Sequence, residues 1–447
     1  MPRGEPRRVA ETAVVVGASM AGLCAARVLS ERFDQVVVLD GDALGQDGGR
    51  HPGVPQGRQP HLLLRAGARL LEEWFPGLTR ELYGSGATEV DYCRDIHRHR
   101  GGGVLARPAS GLRVPVMSRP LLEATVRGRL AGLGHVTLRG RSPVHGLVTD
   151  ASGTRIAGVR LAGGATLGCA LLVDATGSGA RSLDWIADLG YGAPPLSVVT
   201  VGTHYASRIY RRDEAGATVR DWKAAVVTGA PSLRRLAMAL PLEGGRWIVA
   251  LIGVNGEVPP TDEDGRIAFA RSLDSPVVAD LMAASEPLTE PAADPFPENR
   301  RRHVERLRRF PSGWVLLGDA VAALDPIHAQ GMTSAAQQAV VLGECLDGTG
   351  RISHAFGRRY FDAVARTVAA PWSLAAGGDF AYAGTTGPKP AGTDLFNRYV
   401  ERVVRAARYD DAVSVRFGEV EGLVRRPEGL LAPGFVLRVL RSARREA

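Results

Sequence analysis

The chain has 447 residues, enough for two or three ordinary domains or one large interleaved unit. With 45% hydrophobic and 23% charged residues it sits at globular averages, which excludes disordered and fibrous classes. A net charge of +8 invites a nucleic-acid reading, yet only Lys223 and Lys389 are lysines among 55 basic residues. No RRM, zinc-finger or helix-turn-helix signature accompanies them, so the arginines read as solvated faces and no nucleic-acid partner is expected.

The longest charge-free apolar run, Thr12 to Ala26, is interrupted by Gly17, Ser19 and Gly22 and is too short to span a bilayer. Preceded by Arg7-Arg8, it imitates a secretory or twin-arginine signal. It reads better as a strand and helix of a nucleotide-binding fold, and the two readings exclude each other. Cys24, Cys93, Cys169 and Cys345 fit neither a metal site nor a CxxC pair, which points to a reducing, cytoplasmic setting.

Ala13 to Val16 is a short β-branched run, as in a strand buried on both faces. It leads into Gly17-Ala18-Ser19-Met20-Ala21-Gly22, a helical pattern, and a second strand, Val36 to Leu39, that ends at Asp40. Strand, glycine turn, helix, strand and acid is the layout of a dinucleotide fold. The helix N-terminus offers N–H groups to a pyrophosphate, and Asp40, 18 residues past Gly22, is placed to accept from a ribose hydroxyl. Two departures stand out: Ser19 replaces the middle glycine, and Asp40 is one carbon shorter than the commoner Glu.

Further along, Ala170 to Asp174 reads as another buried strand with a small-residue turn, Ala175 to Arg181. Val198 to Tyr210, Leu236 to Leu242 and Trp247 to Val254 read as strands, with Glu243-Gly244-Gly245 turning the last two into a hairpin. On the first of these, period two puts His204 and Arg208 on one face and Thr203, Tyr205 and Ser207 on the other. Trp247 reads as core. Gly313 to Ala320 is a strand ending in Gly318-Asp319, followed by a Pro/Gly loop from Asp325 and an Ala-rich helix from Gly331. Asp319 is placed to bind a polyol hydroxyl, and the helix start at Gly331-Met332-Thr333 to stabilise negative charge on a reduced isoalloxazine. Residues 346–447 are helical in pattern, broken at Pro371, Gly377-Gly378 and Gly384 to Gly392. They end in a basic amphipathic stretch, Phe435 to Arg441 with Arg444-Arg445, that is expected to pack on the domain rather than on a membrane.

In this order the segments resemble the FAD-dependent monooxygenases of the para-hydroxybenzoate hydroxylase type, and within that superfamily the bacterial polyether epoxidases. The resemblance runs from about residue 12 to about 345. It is carried by Gly17 to Gly22, Gly53-Val54-Pro55-Gln56 with Arg58 and His61-Leu62-Leu63, Ser118-Arg119-Pro120-Leu121-Leu122, Asp174-Ala175-Thr176-Gly177, Glu243-Gly244-Gly245-Arg246-Trp247, Gly318-Asp319 and Asp325-Pro326-Ile327. It implies an α/β fold: a Rossmann-like FAD-binding domain (12–80, 105–189, 305–345) interleaved with a β-sheet substrate domain (81–104, 190–304), then a helical C-terminal region (346–447).

By that resemblance FAD is held by Gly17, Ala18, Ser19, Met20, Ala21, Gly22, Asp40, Arg58, Arg119, Asp319, Pro326, Gly331 and Met332, with NAD(P)H as a transient reductant. The implied chemistry is oxygen transfer through a C4a-hydroperoxyflavin to an apolar small molecule, an alkene of a polyketide-like compound in the epoxidases. Tyr205 and Arg208 match a Tyr-x-Ser/Thr-Arg pattern of that group; with His204, His328 and His61 they are the expected pocket residues. No phenol-activating pair stands out in the sequence, which also favours an alkene. Aromatic hydroxylation and a non-redox flavoprotein scaffold stay open, the latter because Ala329 replaces a glycine of the usual Pro-x-x-Gly-x-Gly loop and brings a Cβ toward the flavin.

Overall fold

The structure, a computed structural model, describes residues 9–45, 55–212, 221–229, 231–349 and 351–442. Arg7-Arg8, Gly53-Val54 and Arg444-Arg445 lie outside the described residues.

The β-branched run near the N-terminus forms the strand Val9–Val16, central in a five-stranded parallel sheet. Its neighbours are Phe33–Leu39 on one side and Leu171–Asp174 on the other, with Trp314–Leu316 and Val136–Arg139 at the edges. Val14, Val15, Val36, Val38 and Leu171 are fully buried, as strands covered on both faces require. The helices Met20–Ser30 and Gly331–Thr349 pack together, with Leu23, Leu29, Ala339 and Leu342 in one core with the strands.

A second, seven-stranded sheet contains Ile96–His99, Leu196–Arg211, Ala224–Thr228, Arg235–Leu242, Arg246–Gly253, Ala292–Arg302 and the short Ala322–Ala323. Glu243 to Gly245 does turn Arg235–Leu242 into Arg246–Gly253, in antiparallel register from Leu242↔Arg246 to Arg235↔Gly253. One face of this sheet (Ala237, Ala239, Trp247, Val249, Leu251) is covered by the helices Glu263–Arg271 and Val277–Ala283. The other face carries Leu240, Leu242 and Ile248 and packs against Leu62, Leu64 and Ala329, toward the parallel-sheet unit.

The C-terminal region is helical, with one difference from the sequence pattern. His354–Asp379 runs unbroken through Pro371, Gly377 and Gly378. Proline and glycine there cost roughly 3 and 1 kcal/mol of helix propensity. Burial of Phe361, Val364, Val368, Ala375 and Ala376 along the same face outweighs that. The expected break at Gly384 to Gly392 is present, between Asp379 and the helix Thr393–Ala406. The amphipathic end forms the helix Pro433–Ser442, which buries Phe435 and Val439 and ties Arg438 to Asp410 at 2.8 Å. Among the described residues no helix is long and apolar enough to cross a membrane.

Candidate functional site

A cleft of about 440 Å³ opens at the C-terminal ends of the parallel strands. Of the residues expected to hold a cofactor, Gly17, Ser19, Met20, Ala21, Asp40, Arg119, Asp319, Pro326, Gly331 and Met332 line it, as does His61. Ala18 and Gly22 shape it from behind. A Cβ on Gly22 would lie 1.7 Å from the Gly17 carbonyl oxygen, so only glycine lets helix and turn approach this closely. The turn is anchored to the neighbouring strand: Gly17 N–H donates to Leu39 O at 2.8 Å, and Ala18 N–H donates to Asp40 Oδ2 at 2.7 Å.

Ser19, which departs from the usual glycine, has a use. Its hydroxyl donates to Glu123 Oε1 at 2.7 Å and accepts from Arg119 Nη2 at 2.6 Å. Arg119 also donates to Glu123 through Nε at 2.9 Å and reaches His61 Nε2 through Nη1 at 3.1 Å. Because His61 Nδ1 lies 2.7 Å from the Gln59 carbonyl, Nδ1 carries the proton and Nε2 accepts. Burial, with Arg119 close by, pushes the His61 pKa down to about 3, so the imidazole is neutral and bridges the arginine to the backbone.

The second segment reaches the same cleft through another close approach. Gly318 adopts φ +73°, and a Cβ there would lie 2.6 Å from the Ala21 methyl, so the Gly-Asp turn docks on the first helix. Asp319 then projects into the cleft, and its carboxylate has no hydrogen-bond partner among the described residues. Burial raises its pKa, opposed by Arg119. Behind it lies a residue the sequence reading missed. Arg302, on the Ala292–Arg302 strand, donates to Ser178 O at 2.5 Å and Ala320 O at 3.1 Å, tying the turn after Asp174 to the turn at Asp319. Asp174 itself is buried and accepts from Thr176 N–H and Oγ1 and from Ser182 N–H and Oγ, which fixes the small-residue turn lining the cleft.

The loop Asp325 to Gln330 separates this cleft from the sheet. Ala329 lines the cleft and also packs against the apolar cluster that includes Leu62, Leu240 and Ile248. It takes the left-handed conformation, φ +52°, that glycine would adopt freely. Asp325, fully buried, accepts from the hydroxyls of Thr203 and Tyr205 and from Ile327 N–H at 3.1 Å, while its own N–H donates to Asn299 Oδ1 at 2.7 Å. Asn299 Nδ2 donates to Asp379 Oδ2 at 2.6 Å, and His328 Nε2 lies 3.2 Å from Asp379 Oδ1. Burial and the nearby Asp379 charge push the Asp325 pKa up to about 6. Tyr205 and His328 thus meet at one polar cluster. Strand parity had grouped Thr203 with Tyr205, whereas no local spacing marks Asn299 or Asp379.

Three expected residues lie elsewhere. Arg58 is exposed and pairs with Asp294 at 3.0 Å, outside the cleft lining, which links the 55–62 segment to the sheet. Arg208 pairs with Glu263 and donates to Thr289 O, under the covering helices. His204 shares that face, its buried Nδ1 without a hydrogen-bond partner among the described residues. Strand parity grouped these two correctly. Which face looks toward the cleft was decided by the helices Glu263–Arg271 and Val277–Ala283 covering the other one.

The residues present fit a dinucleotide. Two helix N-termini converge on the cleft, a glycine cradle admits no Cβ, Asp40 stands at the end of the second strand, and Asp319 is an acceptor awaiting a donor.

No protein-family model matches the chain. It is 32% identical over 428 residues to Protein Rv3254 of Mycobacterium tuberculosis, covering 89% of this chain and 86% of that one. A kynurenine 3-monooxygenase of Xanthomonas campestris is 32% identical over 148 residues, 31% of this chain and 30% of that one. Among solved structures, the flavin-dependent brominase Bmp2 superposes with a TM-score of 0.66 at 14% identity, covering 98% of this chain and all of that one. PqsL, described as a probable FAD-dependent monooxygenase from Pseudomonas aeruginosa, superposes with a TM-score of 0.60 at 18% identity over 84% and 99% of the two chains. The fold is that of the FAD-dependent monooxygenases and halogenases.

Proposed function

We propose that this chain, which belongs to the family of Protein Rv3254, is an FAD-dependent monooxygenase acting on a mainly apolar small molecule. The observation that carries this is the partnerless Asp319 carboxylate, set in the same cleft as Asp40, Arg119 and two helix N-termini. When bound, FAD supplies acceptance of two electrons from NAD(P)H and activation of O2. Asp40 and Asp319 are the acceptors for its hydroxyls. Arg119, paired with Glu123, would supply donors to its phosphates, and the N-terminus of the Gly331–Thr349 helix would supply N–H groups to its ring.

The substrate side is the inner face of the seven-stranded sheet, where Leu240, Leu242 and Ile248 favour an apolar body. Epoxidation of an alkene is supported by the resemblance of the cofactor segments to the polyether epoxidases. A second reading, hydroxylation of a molecule with an ionisable hydroxyl, is favoured by His328 beside Asp379, a base pair that the sequence did not reveal. The test is direct. Purified protein should be yellow, bleach anaerobically with NADPH, and on mixing with labelled O2 place one labelled oxygen in the product. A colourless protein that takes up no FAD, or a product of unchanged mass formed without O2, sinks the proposal.

A further inference from the structure

The cleft crosses the ends of the parallel strands, and its two ends differ in chemistry. Asp319 follows Trp314–Leu316 at one edge of the sheet, whereas Asp40 follows Phe33–Leu39 toward the other. Beyond Asp40 the lining continues through Asp42, Ser142, Pro143 and Val144, and it includes Trp185. Backbone bonds fix this end: Arg141 N–H donates to Asp42 O at 2.8 Å, and Ser142 N–H donates to Asp40 O at 2.7 Å. The short helix Ser182–Asp188, which carries Trp185, packs against the strand Val144–Thr149. That contact brings the indole to the Asp40 end of the cleft and away from the Asp319 end.

No other Phe, Tyr or Trp among the described residues lines the cleft. Elsewhere the indoles are engaged by the protein itself. Trp314 is buried, donates to Ser182 Oγ at 2.9 Å and meets Phe361 edge-on, and Trp222 tilts against Trp247 at 5.9 Å. Trp185 is only partly buried against the core and has no such ring partner among the described residues. An indole face in a cofactor cleft is best covered by a second flat, polarisable ring. Phosphates and hydroxyls gain little from it, and Arg119, Asp40 and Asp319 already stand ready for them. The isoalloxazine belongs with the Gly331–Thr349 helix, so the ring left over for Trp185 is the adenine.

We propose that Trp185 is the stacking surface for the adenine of FAD, and that it makes this cleft select FAD over FMN. This rests on the FAD reading above. The indole takes the adenine face, Asp40 takes the adjoining ribose, and the backbone bonds between residues 40–42 and 141–142 hold that wall in place. FMN lacks the adenosine half and has no group to reach Trp185. Stacking of a base on an aromatic side chain changes affinity by about tenfold or more, enough to read as selectivity between the two flavins.

The test titrates flavin-free, full-length protein with FAD, FMN and AMP. Wild type should bind FAD more tightly than FMN. Trp185→Leu should weaken FAD about tenfold or more and leave FMN unchanged, and Trp185→Phe should recover most of the loss because a ring remains. The ratio of the two affinities is the readout, since a variant that is merely less stable loses both. AMP gives a second readout. It does not absorb where tryptophan emits, so it quenches by contact alone, and it should quench wild type more than Trp185→Phe. The measurements on Trp185→Phe stand even where the leucine variant fails to fold. Trp185→Leu protein that loses FAD and FMN equally, or loses neither, overturns the adenine seat and leaves the FAD reading intact. Equal quenching by AMP in wild type and Trp185→Phe does the same. Protein that takes up neither flavin overturns both.

Discussion

The turn at 17–22 and the loop at 325–330 face one cleft from two sides, yet they are held by different means. Around the turn, the backbone contacts come from the adjacent strand and the next acid: Gly17 bonds to Leu39, Ala18 to Asp40, and Gly22 closes on Gly17 itself, while the Ser19 side chain reaches Glu123 and Arg119 farther along the chain. Around the loop, the partners are remote in sequence. Asp325 meets Tyr205 and Thr203 at separations of 120 and 122 residues, and His328 meets Asp379 at 51. A locally specified cradle and a loop set by tertiary partners differ in what breaks them.

The largest effect is expected in the turn. Gly22→Ala drives a methyl into the Gly17 carbonyl, with no flexible side chain able to yield. Loss of more than about 3 kcal/mol is expected, read as loss of soluble protein or a collapsed denaturation midpoint. A soluble Gly22→Ala protein of unchanged midpoint would show that the cradle is not closed as described.

Next comes the contrast between the two acids. Asp319 accepts no hydrogen bond among the described residues, whereas Asp40 accepts from Ala18 N–H and Asp42 N–H. Asp319→Ala should therefore leave apo-protein stability unchanged or raise it, and weaken FAD binding by about 1.5–3 kcal/mol. Asp40→Ala should lower apo stability and weaken FAD less. FAD titrations alongside melts of the apo-protein check both signs; equal behaviour of the two variants would undo the distinction.

Within the loop the effects are smaller. Tyr205→Phe removes one donor from a carboxylate that keeps Thr203 and Ile327, and should cost about 1–2 kcal/mol in chemical denaturation. No change would mean that the sheet does not hold the loop. Ala329→Gly removes the Cβ from a left-handed residue and should raise stability by up to about 1 kcal/mol. A drop in melting temperature instead would show that the methyl's packing against its apolar cluster outweighs the backbone strain.

Legibility in the sequence followed the same division. The parallel sheet, its glycine turn, Asp40 and the Gly318-Asp319 turn were readable because each is a short-range pattern: burial on both faces, a fixed glycine spacing, an acid at a strand end. The departures from pattern gained their explanations only in three dimensions. Ser19 serves Glu123 and Arg119, and Ala329 bears its φ within a loop tied at both ends.

What the sequence determined by itself was the dinucleotide cradle, since backbone geometry and periodicity act over few residues. Only the tertiary structure decided which face of the Leu196–Arg211 strand looks toward the cleft, sending Tyr205 inward and Arg208 to Glu263. It also decided that Arg58 joins Asp294 and that Asp379 stands behind His328. Period-two alternation has no sign until another element covers one face. Two charged groups far apart along the chain become a pair only when packing removes the water between them.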